Sequence, residues 1–76
     1  MDIKATVVSI IADQAGVAEA ELTDSTNLQA DLELDSLDIM DLLLSLEKEF
    51  DMQIPDEDLG KIQTIKDIVT YIENNQ

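Results

Sequence analysis

Apolar residues recur at helical spacing in three segments of the chain, and these segments predict three substantial helices. The first covers residues 3–15, with Asp2 placed to cap its start and Gly16 to end it. The second runs from about residue 36 to 50, and the last begins at Thr64. The residues that share one face are Ile3, Val7, Ile10 and Ile11 in the first helix, and Ile65, Ile68, Val69 and Ile72 in the last.

The segments between these helices do not alternate like strands. Residues 16–33 show no sustained period and predict a long loop that a few apolar residues pin onto the core. Pro55 stops the second helix from continuing, and Asp56 to Leu59 form a short helical turn that Gly60 ends. The chain is therefore predicted to be an all-α single domain, residues 1–76, with three main helices plus one short helix.

The second helix has two apolar faces. The core stripe consists of Ile39, Leu42, Leu43, Leu46 and Phe50. The other face, Leu37, Met40 and Leu44, lies where a monomeric helix is normally polar, and we name it the exposed strip. Asp41 and Lys48 project on the same side, and ionised side chains are rarely buried without partners, so the strip is expected to face solvent. The alternative is that loop residues cover it and bury the helix on all sides.

The charge balance is strongly acidic. The 76 residues include 18 acids against four lysines, which gives a net charge of −14. Nucleic acid and anionic membranes would repel such a chain, so we expect neither as a partner, and no insertion into a membrane; basic proteins are the expected partners. Because 45% of the residues are apolar and regularly spaced, the chain should nevertheless fold, as a monomer.

The chain has neither Cys nor His, so disulfides and thiolate metal sites are excluded and any reactive thiol must be attached from outside. Its start, Met1-Asp2-Ile3-Lys4, carries an acid where a signal peptide would be basic, and the longest apolar run, Leu42 to Leu44, is too short to span a bilayer. We therefore expect a cytoplasmic protein.

Ser36 stands at the start of the second helix. A hydrolytic serine needs a base, and no His or neighbouring basic residue supplies one, so we assign no catalytic residue. The hydroxyl is better placed as a site of covalent modification, since the N–H groups of the first turn favour an attached phosphate ester by about 0.3–1 kcal/mol. The alternative is that Ser36 is only a first-turn residue.

The segment Asp-Ser-Leu-Asp at 35–38 resembles the acyl carrier proteins. The resemblance continues through Leu46-Glu47, Glu49-Phe50-Asp51 and Ile54-Pro55-Asp56, and it includes Gly16-Val17, Asp31-Leu32 and Tyr71-Ile72. It implies a small antiparallel bundle in which Ser36 carries 4′-phosphopantetheine, transferred from coenzyme A by a holo-acyl carrier protein synthase. The thiol of this arm would hold acyl intermediates as thioesters and deliver them to fatty acid biosynthesis enzymes that carry basic docking patches. The chain itself would be a carrier and not an enzyme.

The resemblance also implies two sets of site residues. The partner-docking surface would consist of Asp35, Leu37, Asp38, Met40, Asp41, Leu44 and Glu47. The acyl pocket would lie between the second helix and the short helix, with Leu46, Ile54, Leu59, Ile62 and Ile68 as candidates. In the empty carrier these five residues would serve as ordinary core packing. No metal is implied.

The chain departs from the family pattern in front of the serine. Glu33-Leu34 stands where the family commonly has Gly and a small residue, so the backbone before the second helix is expected to follow a different path. Lys48 replaces a common acid, and Ala15 replaces a larger apolar residue. These changes leave open which enzymes dock and which acyl group is carried.

Three alternative functions compete with a fatty acyl carrier. A carrier of polyketide or aminoacyl thioesters would use the same Ser36 chemistry. A calcium sensor is disfavoured, because an EF-hand counted from Asp31 needs Gly at position 36 and Glu at position 42, where Ser36 and Leu42 stand. An unmodified interaction module would use the exposed strip and leave Ser36 without a chemical role.

Overall fold

A computed structural model describes residues 2–75, which form three α-helices and two short 3-10 helices. The α-helices are α1 (Ile3–Ala15), α2 (Ser36–Phe50) and α3 (Ile65–Asn74). One 3-10 helix, Glu19–Glu21, is a single turn in the loop after α1; the other, Asp56–Lys61, is called the short helix below. The described residues contain no strand, only one isolated bridge between Asn27 and Thr64. The predicted all-α class, with three long helices, one short helix and a long first loop, is confirmed.

Local hydrogen bonds explain where α1 begins and ends. The Asp2 carboxylate accepts the Ala5 N–H at 3.2 Å, which satisfies one free donor of the first turn. At the other end Gly16 turns left-handed with φ 70°, and its N–H donates to the Ala12 carbonyl at 2.9 Å. Val7 and Ile11 are completely buried against α2 and α3, so packing of this face holds the helix in place.

The loop between α1 and α2 is pinned at its centre. Leu28 is buried, and its N–H donates to the Gln63 carbonyl at 2.9 Å, which joins the loop to the segment before α3. The Asp31 carboxylate closes the turn by accepting the Asn27 N–H at 2.7 Å. The loop therefore carries its own hydrogen bonds, as a long ordered connection must.

Glu33 corrects one expectation. Instead of avoiding the backbone angles that glycine favours, it adopts them, with φ 57°. The next N–H, that of Leu34, donates to the Leu28 carbonyl at 3.1 Å, so the chain is held on this path directly before α2. Glutamate therefore occupies a strained left-handed position, and Ser36 follows three residues later.

The short helix does not end at Gly60 as predicted; it runs through Gly60 to Lys61. Gly60 lacks the positive φ that ends α1 at Gly16, and the Ile62 N–H continues the 3-10 pattern to the Leu59 carbonyl at 3.2 Å. A capping box of Thr64 and Asp67 then opens α3 as the sequence predicts. The core consists of Val7, Ile11, Leu28, Leu42, Leu43, Leu46, Phe50, Ile54, Ile62, Ile65, Ile68 and Ile72.

Candidate functional site

Ser36 is the first residue of α2, and its side chain is exposed. Its hydroxyl makes no hydrogen bond to any other described residue. The preceding residue, Asp35, caps the helix: its carboxylate accepts the Asp38 N–H at 2.9 Å, and the Asp38 carboxylate accepts the Asp35 N–H at 3.4 Å. The two acids thus fix the backbone on either side of a hydroxyl that remains free.

A cavity of about 360 Å³ opens beside this hydroxyl. One wall is the face of α2 that contains Ser36, the second is the loop at Leu28, and the third is the chain from the short helix to α3. The residues around it are Leu28, Gln29, Ser36, Ile39, Met40, Leu43, Leu59, Gly60, Ile62 and Gln63. Since most of these side chains are apolar, this groove suits an aliphatic group reaching inward from Ser36. We call it the acyl groove, after the acyl pocket that the family resemblance predicts.

The structure places the five predicted pocket residues in two locations. Leu59 and Ile62 line the acyl groove. Leu46, Ile54 and Ile68 are buried in the core and do not line it. The difference follows from the direction of the groove, which runs along α2 next to Ser36 and ends before the helical turn of Leu46.

Sequence reasoning missed six lining residues. Ile39 and Leu43 stand three and seven positions after Ser36, a spacing that places them on the same side of a helix, so this signal was available. The remaining four, Leu28, Gln29, Gly60 and Gln63, come from distant segments. No periodic pattern identifies those four.

The exposed strip does face solvent. Leu37 is 74% exposed, Met40 49% and Leu44 52%. Asp38 and Asp41 are exposed beside it, so the structure shows an apolar strip flanked by carboxylates. Met40 also reaches the acyl groove, which makes the strip and the groove neighbours.

Glu47 differs from the other predicted docking residues. It is half-buried, and its carboxylate accepts the Ile54 N–H at 2.7 Å. This bond braces the chain where it leaves α2, after Asp51 has turned left-handed with φ 51°. Glu47 therefore has a structural role that sequence spacing did not indicate.

Within residues 2–75, no helix combines the length and apolar character needed to cross a bilayer.

Comparison with known proteins places nearly the whole chain in one family. Residues 5–72 match the family model described as a phosphopantetheine attachment site. The chain is 38% identical to a protein from Anaplasma phagocytophilum assigned as an acyl carrier protein; the match covers 99% of this chain and 89% of that one, with a TM-score of 0.89. It is 36% identical to the acyl carrier protein of Enterococcus faecalis, covering 97% of this chain and 94% of that one, with a TM-score of 0.84.

Proposed function

Because the chain belongs to the phosphopantetheine-attachment family of acyl carrier proteins, we propose that it carries acyl intermediates of fatty acid biosynthesis on an arm attached to Ser36. The cofactor of this family is covalently bound 4′-phosphopantetheine, whose terminal thiol holds the cargo as a thioester. The observation that carries the proposal is the free, exposed Ser36 hydroxyl at the mouth of the acyl groove. We further propose that residues 1–76 act as one carrier domain.

The surroundings of Ser36 fit such an arm. Attachment forms a bond from the Ser36 Oγ to the phosphorus next to the pantetheine of coenzyme A and breaks the bond between the two phosphates. Adenosine 3′,5′-bisphosphate leaves, and the hydroxyl proton passes to a base of the transferase. The chain has no His, and the Ser36 hydroxyl has no hydrogen-bond partner among the described residues, so we expect the transferase to supply the base.

The composition of the acyl groove favours an aliphatic cargo over an aminoacyl one. Branched aliphatic side chains such as Leu28, Leu43 and Ile62 line it, and its polar side chains are those of Ser36, Gln29 and Gln63. A charged ammonium group would lose its hydration there without gaining a carboxylate partner. A saturated chain would instead remove apolar surface from water.

The exposed strip and its acids support docking to partners with basic patches around an apolar recess. Leu37, Met40 and Leu44 supply the apolar contact, and the neighbouring carboxylates supply electrostatic attraction. We propose the holo-acyl carrier protein synthase and the fatty acid biosynthesis enzymes as these partners. The proposed docking residues are Asp35, Leu37, Asp38, Met40, Asp41, Leu44 and Glu47.

The attachment experiment measures intact mass after incubation with coenzyme A and a phosphopantetheinyl transferase. Ser36→Ala is the test variant, and Ser45→Ala is a matched control because Ser45 lies on the same helix but its hydroxyl donates to the Asp41 carbonyl at 3.2 Å. We expect the wild type and S45A to gain one phosphopantetheinyl group and S36A to gain none. Modification of S36A, or no gain by the wild type with several transferases, would contradict the proposal.

A second experiment tests the docking surface. Asp41→Lys and Glu73→Lys change the net charge equally, but Asp41 flanks the exposed strip whereas Glu73 lies on α3. We expect D41K to raise the KM of the transferase for the carrier and E73K to change it much less. Equal effects of the two variants would show that only the overall charge matters.

The cargo is identified by isolating the protein from its native cells under conditions that preserve thioesters and measuring the mass attached to the arm. Saturated or 3-hydroxyacyl groups are expected. An aminoacyl or polyketide mass would contradict a role in fatty acid biosynthesis and support a carrier of that other cargo.

A further inference from the structure

The short helix forms one wall of the acyl groove, and its backbone makes no hydrogen bond to another helix within the described residues. Leu59 and Gly60 line the groove, and Ile62 follows them. The backbone hydrogen bonds of this segment are local: the Asp58 N–H donates to the Pro55 carbonyl, and the Ile62 N–H donates to the Leu59 carbonyl. No side chain caps the start of this helix. Its position relative to the rest of the bundle must therefore come from side-chain contacts.

One side-chain hydrogen bond ties this wall to α3. The Tyr71 hydroxyl donates to Oδ2 of Asp58 at 2.7 Å, across 13 positions of sequence. The other carboxylate oxygen of Asp58, Oδ1, pairs with the Lys61 ammonium at 3.1 Å. The Lys61 ammonium is exposed and its ion pair lies within the short helix, so this pair does not hold the helix against the bundle. Leu59 packs against the core, and the Gly60 carbonyl accepts the nearby Gln63 amide at 3.4 Å. Among the hydrogen bonds of the described residues, the Tyr71 bond is the one that joins the short helix to another helix.

The chemistry of the pair keeps this bond formed at neutral pH. The hydrogen bond to Asp58 raises the pKa of Tyr71 to about 12, so the hydroxyl remains a donor. The same bond, followed by the Lys61 contact, lowers the pKa of Asp58, so the carboxylate remains an acceptor. Asp58 itself is mostly covered, with its side chain 20% exposed, which favours a short and ordered contact.

We propose that the Tyr71–Asp58 hydrogen bond is a latch that limits how far the short helix moves away from α2, and thereby sets the length of acyl chain that the groove shelters. Asp58 is held on the α3 side, while its neighbour Leu59 lines the groove. A longer chain must displace Leu59 outward and thus strain or break the bond one residue away. Tyr71 and Asp58 are positioning residues, and the inference rests on the proposed carrier function.

The test compares carriers loaded with 6-carbon and 14-carbon saturated thioesters. The rate of thioester cleavage by hydroxylamine, followed by intact mass, measures shelter; amide hydrogen exchange over residues 59–62 measures movement of the wall. Tyr71→Phe and Asp58→Ala remove the latch. Asp58→Asn retains a carbonyl acceptor for Tyr71, and Lys61→Gln removes only the neighbouring ion pair.

In Y71F and D58A, we expect hydroxylamine to cleave the 14-carbon thioester about fivefold more slowly relative to the 6-carbon thioester than in the wild type. Amide hydrogen exchange at residues 59–62 should become faster. A fivefold effect corresponds to about 1 kcal/mol, the usual net value of one hydrogen bond. In D58N and K61Q, the ratio of the 14-carbon to the 6-carbon cleavage rate should stay within about twofold of the wild-type ratio. The ratio cancels any general loss of stability, because both chain lengths are measured on the same variant.

Three results overturn the latch. If the cleavage rate in Y71F and D58A changes equally at both chain lengths, the bond is purely structural. If the cleavage rate does not change at all, the bond has no role in sheltering the chain. Neither result contradicts the carrier function. A wild-type chain that takes up no phosphopantetheine overturns the carrier function and the latch together, and the unloaded mass identifies that case.

Discussion

Glu33 offers a direct test of the energy stored before the attachment site. A side chain at φ 57° costs roughly 1–2 kcal/mol relative to ordinary helical or extended backbone. Replacing it by glycine removes that cost but adds about 0.5–1 kcal/mol of unfolded-state entropy. Glu33 is exposed and its side chain has no hydrogen-bond partner among the described residues, so the substitution removes no hydrogen bond. Glu33→Gly is therefore expected to stabilise the fold by about 0.5–1 kcal/mol.

Removing one negative charge from a chain of net charge −14 also reduces self-repulsion, so a charge control is needed. Glu33→Gln removes the same charge but keeps the β-carbon that causes the strain. Urea denaturation of the three proteins at equal ionic strength measures the free energy of unfolding, and thermal unfolding should show E33G higher by several degrees, since about 1 kcal/mol shifts a domain of this size by roughly 4–8 °C.

The difference between E33G and E33Q isolates the backbone contribution. If E33G is no more stable than E33Q, the strain argument is refuted and Glu33 does not limit stability. The rate at which the transferase modifies Ser36 provides a second readout. Because the Leu34 N–H still donates to the Leu28 carbonyl, both variants should be modified at the wild-type rate. A large rate change in E33G alone would show that the strain serves attachment.

Three further predictions concern charge and packing. Magnesium or added salt should raise the melting temperature, because screening relieves the repulsion of 14 excess negative charges; an unchanged or lower value would contradict this. The pKa of Asp67 is lowered, first by the Gln63 N–H, so its stabilisation is complete above the unfolded value of 3.8 and is lost as pH falls through the folded value. The stability difference between wild type and Asp67→Asn should therefore shrink on acidification, as urea titrations at several pH values would show; a constant difference would refute the linkage. Finally, Leu42→Ala should cost about 2–5 kcal/mol in urea denaturation, whereas Leu44→Ala should cost little but weaken the transferase interaction. Equal losses of stability would contradict the assigned faces.

The sequence located the start and end of the long helices because those signals are local. The bounds of α1 and α2 coincide with the predicted 3–15 and 36–50, since caps and hydrogen bonds join residues only three to five positions apart. The same reasoning separated the two faces of α2, because a helix repeats every 3.6 residues and acids interrupt only one face. The prediction that the short helix ends at Gly60 was wrong, because no left-handed cap forms there and the 3-10 helix continues to Lys61.

Contacts between distant segments explain what sequence reasoning could not supply. The spacing along α2 predicts that Glu47 is a docking residue, yet its carboxylate accepts a hydrogen bond from the Ile54 N–H seven residues later. The strain at Glu33 likewise depends on where Leu28 is anchored, and that anchor is the Gln63 carbonyl 35 positions away. Neither contact follows a periodic pattern that could be recognised in the sequence.

The sequence by itself determined the long helices, the serine at the start of α2, the exposed strip with its neighbouring acids and the resemblance to acyl carrier proteins. These properties follow from short-range hydrogen bonding, helical periodicity and net charge. Tertiary structure alone decided that Leu28 and Leu59 line the groove beside Ser36 while Leu46 and Ile68 do not and lie in the core. The reason is physical: every one of these side chains is apolar and equally suited to burial, so only the packing of helices around one another distinguishes a wall of the groove from the core behind it.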